Sequence, residues 1–397
     1  MDKRLLVLAS GMFALGTDSF VVAGILPQVS ASLGVSAAVA GQMVTVYALT
    51  YALLSPVIAA VAAQVPRKQL LLAGLAVFVL GNIATALAPT IGLVLASRFI
   101  AGFGAAMFSP TATATGASLV PSEQRGRALA IVIAGLSSAT ALGAPLGTLI
   151  GGLFDWRATM WFVSAVGTVA ALGVAWRLSA VPTPPAVSLK QRLAPLGDLR
   201  VLLTLATTWL TYTGLFLVYT YIGLSFDRAT GGSSGVLAGL LLLWGVTATV
   251  GNLVAGRLTD RFGSRAIINL AVGVAALNFA LLPWSSATLA TAAVAIVVWG
   301  LCGWGMVVPQ QHRLISITPS AAPLLLGLNS AALYVGVSMS GALGGVAISV
   351  FDRHSLGLVG SVFIAIALFV AERAYRRIVR PASQTASIQA AASAATR

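Results

Sequence analysis

Apolar runs of about twenty residues follow one another along the chain almost without pause, and no other feature restricts its fold so tightly. A helix rises about 1.5 Å per residue, so about twenty residues cross a bilayer core of ~30 Å. In lipid, each backbone N–H and C=O must be satisfied within the protein, which leaves only helices and closed barrels. Runs of this length select helices. Twelve can be placed, at roughly 5–26, 39–63, 70–88, 91–119, 128–153, 158–178, 200–223, 235–256, 266–286, 289–312, 323–350 and 355–373. The breaks carry Pro, Gly or charge, as at Pro27, Pro66, Asp155 and Pro319. The first run follows Lys3 and Arg4 but is too long for a signal peptide, holds Asp18 and leads straight into further runs, so it reads as the first helix. The expected fold class is an all-α polytopic membrane protein with twelve transmembrane helices.

Composition narrows the function. Only 8% of the 397 residues are charged, too few to cover a soluble protein of this size. One cysteine excludes an internal disulfide and a cysteine-based zinc site, and His312 and His354 leave little for a metal or for histidine catalysis. No enzyme, metal or cofactor is expected. The net charge of +14 does not point to nucleic acid, because the cations are scattered over short connections. With the N-terminus cytoplasmic, 19 of the 23 Lys and Arg fall on the cytoplasmic side, against Arg157, Arg228 and Arg353 outside and Arg98 within a span. This asymmetry predicts a multi-pass membrane protein with both termini inside.

The runs divide six and six. Residues 179–199 carry Pro182, Pro184, Pro185 and Pro195 and read as a semi-rigid cytoplasmic linker, with a short surface helix over 187–193. The expected units are a six-helix bundle at 1–178, the linker, a second bundle at 200–373, and a disordered tail at 374–397. The two bundles repeat one another. Gly102-Phe103-Gly104 before Pro110 matches Gly303-Trp304-Gly305 before Pro309, and Gly151-Gly152 matches Gly344-Gly345. Parallel repeats around a central site are an architecture of secondary transporters, here expected to work as a monomer.

The stretch Gly256-Arg257-Leu258-Thr259-Asp260-Arg261-Phe262-Gly263-Ser264-Arg265 resembles the loop signature G-x-L-x-D-R-x-G-x-R of the major facilitator superfamily. The resemblance implies a conformational latch made by Gly256, Asp260, Arg261, Gly263 and Arg265. The corresponding first-half loop, Gln64 to Lys68, keeps the cations but has no acid. Arg98 with Gly102 and Gly104 resembles the family's fourth-span motif. Gly143, Pro145 and Gly147, followed by Gly151 and Gly152, resemble the antiporter motif of the fifth span, which implies efflux rather than uptake. Gly16-Thr17-Asp18-Ser19-Phe20 resembles the drug:proton antiporter branch, nearest to the bacterial permeases that export arabinose-type sugars, purines or chloramphenicol.

Asp18 and Arg98 are the ionisable residues that fall clearly within runs, and a charge in the bilayer core marks a functional candidate. If the first helix ends near Pro27, both lie in the outer half at similar depth and can pair. Burial raises a carboxyl group's proton affinity and a neighbouring guanidinium lowers it, so Asp18 is the candidate proton carrier and Arg98 its modulator. A static buried salt bridge is the structural alternative. Candidate cavity residues are Tyr47, Tyr51, Ser137, Ser138, Tyr212, Phe216, Tyr219, Trp244, Trp304, Met306, Asn329 and Tyr334, although each could equally serve in packing. Aromatic walls with a few hydroxyl and amide groups suit a small neutral or lipophilic molecule. The expected function is proton-coupled export of such a molecule, a drug for example. Export of a sugar or nucleoside, or proton-driven import of a polar solute, are the other readings.

Overall fold

The structure is a computed structural model that describes residues 2–179 and 187–395, the side chains of Ser122 and 380–395 excepted. The prolines at 182, 184 and 185 lie outside the described residues. Among the described residues, eleven helices are long and apolar enough to cross a membrane. They are α1 (Lys3–Leu33), α2 (Ala37–Val61), α3 (Arg67–Leu87), α4 (Ile91–Ser118), α5 (Arg125–Leu153), α6 (Trp156–Arg177) and α7 (Leu199–Thr220), then Ser234–Ser285, Leu289–Ile317, Pro319–Val350 and a last helix from Leu356.

The count of eleven rather than twelve has one cause. Ser234–Ser285 is a continuous run of 52 residues, about 78 Å at the ordinary helical rise and far beyond one bilayer crossing. It breaks at Gly263, whose φ of 80° and ψ of 156° are not helical. A Cβ disfavours that conformation, so glycine supplies the joint. The two limbs, α8 (234–262) and α9 (264–285), are separate crossings. The remaining helices are then α10 (Leu289–Ile317), α11 (Pro319–Val350) and α12 (Leu356–Ala395).

Three expectations at helix ends are corrected. Helix α1 does not stop at Pro27 but continues to Leu33, closing on Gly34 in the left-handed conformation. A proline removes one donor and bends a helix without always ending it, and here the helix reforms beyond it. The tail expected to be disordered is helical through Ala395. Alanine and glutamine favour helix, and no glycine or proline follows Pro381 to break it. Arg313, counted among the loop cations, is buried in α10 and donates from Nη1 to the Ala371 carbonyl at 3.1 Å. Over 187–193 the expected surface helix forms at Leu189–Leu193, under a capping box between Ser188 and Gln191.

Helices α1–α6 and α7–α12 meet on the side away from the chain termini. Gln28 Nε2 donates to Ser234 Oγ at 3.4 Å, and Tyr219 Oη donates to the Phe20 carbonyl at 3.2 Å. Gly41 abuts Tyr221, Gly341 abuts Thr45, and Gly345 abuts Ala38. At mid-height the Tyr51 and Tyr334 rings stack with centroids 4.0 Å apart. Among the described residues, no side-chain hydrogen bond or ion pair joins the two sets of helices closer to the termini than this. Arg192 of the linker donates to the Ala59 carbonyl at the end of α2, 3.0 Å away.

Candidate functional site

Helix α1 can run through the middle of the molecule because small residues line its path. Gly143, Gly147 and Gly151 of α5 recur every fourth residue and abut Thr17, Val21 and Ile25, which recur every fourth residue on α1. Any side chain on those glycines would push the helices apart. Gly152 turns to the other side and abuts Ser234 of α8. Pro145 stands two residues after the end of a π-helical turn at Ala139–Gly143. A proline cannot donate to the preceding turn, and the widened turn accommodates the lost bond. The antiporter-like motif is therefore a groove for α1 at the level of Thr17 and Asp18.

Asp18 and Arg98 are fully buried and paired. Arg98 Nη1 donates to Asp18 Oδ1 at 2.7 Å, and the two side chains are 0% and 1% exposed. Helix α1 continues more than a turn beyond Pro27, and the pair forms. Asn82 of α3, which carried no signal in the sequence, completes the cluster. Its Nδ2 donates to Asp18 Oδ2 at 3.5 Å and its Oδ1 accepts from Arg98 Nη1 at 3.2 Å. The Arg98 guanidinium stacks over the Tyr47 ring at 4.5 Å, and Tyr47 Oη accepts from Ser19 Oγ at 3.3 Å. Arg98 Nε has no hydrogen-bond partner among the described residues. A buried charge pair with one donor unmade holds its ions at a cost, and can change partners when its surroundings move.

The expected cavity residues divide into groups. Tyr212, Phe216 and Tyr219 of α7, Trp244 of α8 and Trp304 of α10 form one ring cluster, with centroid separations of 4.6–6.4 Å. Phe20 of α1, Phe279 of α9 and Trp299 of α10 also belong to it and were not singled out from sequence. An apolar residue in an apolar run gives no sign of its direction until the helices pack. Tyr51 and Tyr334 form a second stack, with Tyr51 Oη donating to Ser109 Oγ at 3.1 Å. Asn329 has one end of its amide engaged. Its Oδ1 accepts from Thr208 Oγ1 at 2.7 Å, while Gln310 Nε2 donates to the Thr204 carbonyl at 2.7 Å, tying α7, α10 and α11 together. Met306 is buried at the joint within α10. Ser137 is half-buried and Ser138 exposed, and the ion pair and both ring groups are built without them.

The loop signature lies where α8 meets α9. Asp260 is exposed and makes no ion pair or side-chain hydrogen bond among the described residues. Arg261 lies over the Phe262 ring. Gly256 has only Val308 near its open side, and Gly263 is the joint between α8 and α9. The acid that engages this loop is Glu372 of α12. Arg265 Nη2 meets Glu372 Oε1 at 2.7 Å, supported by Arg376 at 3.2 Å and Asn269 at 3.4 Å. A helix bend between two spans leaves Arg265 facing α12, which the linear motif could not reveal.

Comparison with known proteins agrees with this architecture. The profile of the Major Facilitator Superfamily matches residues 8–318. The inner membrane transport protein YdhP of Escherichia coli (strain K12) is 27% identical over 93% of this chain and 95% of its own length. The uncharacterized MFS-type transporter YbcL of Bacillus subtilis (strain 168) is 27% identical over 92% of this chain and 94% of its own. A chloramphenicol resistance protein of Streptomyces lividans is 32% identical over 66% of this chain and 68% of its own. Among solved structures, the nucleoside transporter NupG shares the fold with a TM-score of 0.77 at 12% identity, covering 94% of this chain and 99% of that one. A bacterial homologue of the human lysosomal transporter Spinster, in an inward-facing and unoccupied conformation, has a TM-score of 0.74 at 16% identity, covering 95% and 97%. With twelve crossings, a whole-chain match in fold and a family profile that fits from the first helix into the loop after α10, the chain belongs to the major facilitator superfamily and is a secondary transporter of that type.

Proposed function

We propose that the protein is a proton-coupled antiporter that exports a small neutral or lipophilic molecule, a drug among the candidates, from a bacterial cell. The observation that carries this reading is the buried pair of Asp18 and Arg98, 2.7 Å apart and wholly shielded from solvent. A carboxylate at that depth is costly unless it is used. The glycine groove of α5 and the relative named for chloramphenicol resistance support export of a drug-like molecule.

With both termini cytoplasmic, the arrangement described is closed outside and admits substrate from the cytoplasm. Asp18 is then bound to Arg98. After reorientation, the outer side opens, substrate leaves, and water reaches Asp18. A proton from outside neutralises the carboxyl group and releases it from Arg98. The neutral form then returns inward and gives up the proton when the next substrate is loaded. Each state is favoured by differential binding of proton or substrate, which alternating access requires. With one carboxylate at the centre, about one proton moves per cycle.

The test is substrate-induced proton release from detergent-solubilised protein. Wild type is expected to release protons and the Asp18→Asn variant to release none, while downhill exchange survives because the cavity walls are intact. Proton release from Asp18→Asn at the wild-type level would place the carrier elsewhere.

A further inference from the structure

Asp18 and Phe20 sit two residues apart on α1, and a helix turns about 100° per residue, so they point to nearly opposite sides. Asp18 faces α3 and α4, where Asn82 and Arg98 meet it. Phe20 faces the other six helices. Its ring lies 6.0 Å from Phe216, 6.0 Å from Tyr219, 6.1 Å from Trp304 and 6.2 Å from Trp244, measured between centroids. Among the described residues, Phe20 alone brings a ring from α1–α6 into this cluster, and it is buried there.

A second observation concerns Trp244. It is buried at 2% exposure, and its indole N–H has no acceptor among the described residues. A buried indole normally finds one, and an unmade bond in a dry site costs free energy. An aromatic enclosure with one unused donor is complementary to a flat, uncharged ring that carries an acceptor oxygen.

On the basis of the export reading above, we propose that Phe20 is an internal occupant of this aromatic cage. Its ring holds the place of the transported molecule, a flat uncharged aromatic compound whose oxygen accepts from Trp244, and the two compete. Loading the cage expels Phe20 and moves α1. Because Asp18 is half a turn away on the same rigid helix, that movement is carried to its pairing with Arg98. The side-chain-free face of α5 at Gly143, Gly147 and Gly151 is the surface along which α1 shifts. Phe20 is thus both a specificity-determining residue and the link between cage and ion pair.

The experiment measures binding of chloramphenicol, an uncharged nitroaromatic, to the full-length protein in detergent at fixed pH with no proton gradient. Quenching of tryptophan fluorescence reads occupancy, since Trp244, Trp299 and Trp304 belong to the cage. Competition predicts that affinity falls as the residue at 20 grows. Phe20→Ala is expected to bind about 10-fold tighter than wild type, Phe20→Leu to fall between them, and Phe20→Trp to bind about 10-fold more weakly, because the competent state is populated in inverse proportion to the occupant's hold. Leu and Trp preserve the ordering should the alanine variant fold poorly. The reverse order would make Phe20 a wall that contacts the ligand, and equal affinities would make it packing. Either result overturns the proposal, as does an absence of quenching in every variant. The proton-release assay on Asp18→Asn is read separately. If that variant still releases protons while the size series holds, the export chemistry fails and the internal occupant stands. If release is lost while the series is flat or reversed, the occupant fails and export stands.

Discussion

Asp18 and Arg98 neutralise one another in a place where neither could stay alone. Removing one member leaves a buried charge, which typically costs about 3–5 kcal/mol, whereas replacing both by groups of similar shape is often close to neutral. Arg98→Met and Asp18→Leu are therefore each expected to lower the melting temperature sharply in detergent, and the double variant to recover most of the loss. Additive losses would mean that the two ions are not coupled. Both residues were legible in the sequence, because a charge in an apolar run stands out. Asn82 was not, because a neutral amide in such a run becomes a ligand only once α3 packs beside α1 and α4. Phe20 was hidden for a similar reason. It appeared in a motif, but the side it faces depends on which helices flank α1.

Helix α1 against α5 is the element contact on which the site rests. At Gly147 a Cβ would already collide with Val21. Gly147→Val is expected to destabilise by about 1–3 kcal/mol through overpacking and to lower transport even where the protein still inserts. A melting curve together with an uptake assay checks this, and a variant as stable as wild type would show that α1 and α5 part more easily than the packing implies. The start of α7 gives a pH-dependent case outside the membrane. Asp198 caps the helix, accepting from the Arg200 backbone N–H at 2.8 Å and from Arg200 Nη2 at 2.7 Å. The Arg200 hydrogen bond holds its carboxyl below the usual carboxylate range. A lowered folded value means that the contribution is complete above the unfolded value of about 3.9 and is lost as pH falls through the folded one. Asp198→Ala is expected to cost about 1 kcal/mol near neutrality and less in strong acid, measured by thermal unfolding at several pH values.

At the scale of the whole molecule, the repeat places matching residues in matching contacts. Gly152 of α5 abuts Ser234 of α8, and Gly345 of α11 abuts Ala38 of α2. Each glycine pair thus meets the first turn of a helix in the other set, on the side away from the termini. We read this as the two-fold relation between 1–178 and 200–373 acting to close that side. Among the described residues the opposite side has no such seam, and Asp260 stands exposed there without an ion-pair or hydrogen-bond partner while Glu372 occupies Arg265. We infer that Asp260 engages only when that side closes. Asp260→Asn is expected to shift the population toward the inward-open arrangement, read as longer distances between labels at the termini-facing ends of the two sets of helices. Unchanged distances would remove Asp260 from the latch.

What the sequence determined by itself was whatever a bilayer imposes locally. Span number, helical class and the loop signature follow from run length, charge and spacing, because lipid offers no partner for an unpaired backbone group and each run must satisfy its own. Membership of the family was visible in the same strings. Only the tertiary structure decided the facing of side chains. It joined Asn82 to Asp18 and Arg98, turned Phe20 into the rings of α7, α8 and α10, and engaged Arg265 with Glu372 in place of Asp260. In a chain that is apolar on every side of its helices, hydrophobic periodicity no longer distinguishes the buried face from the lipid face. Direction is then set by small residues and close packing between helices far apart in sequence.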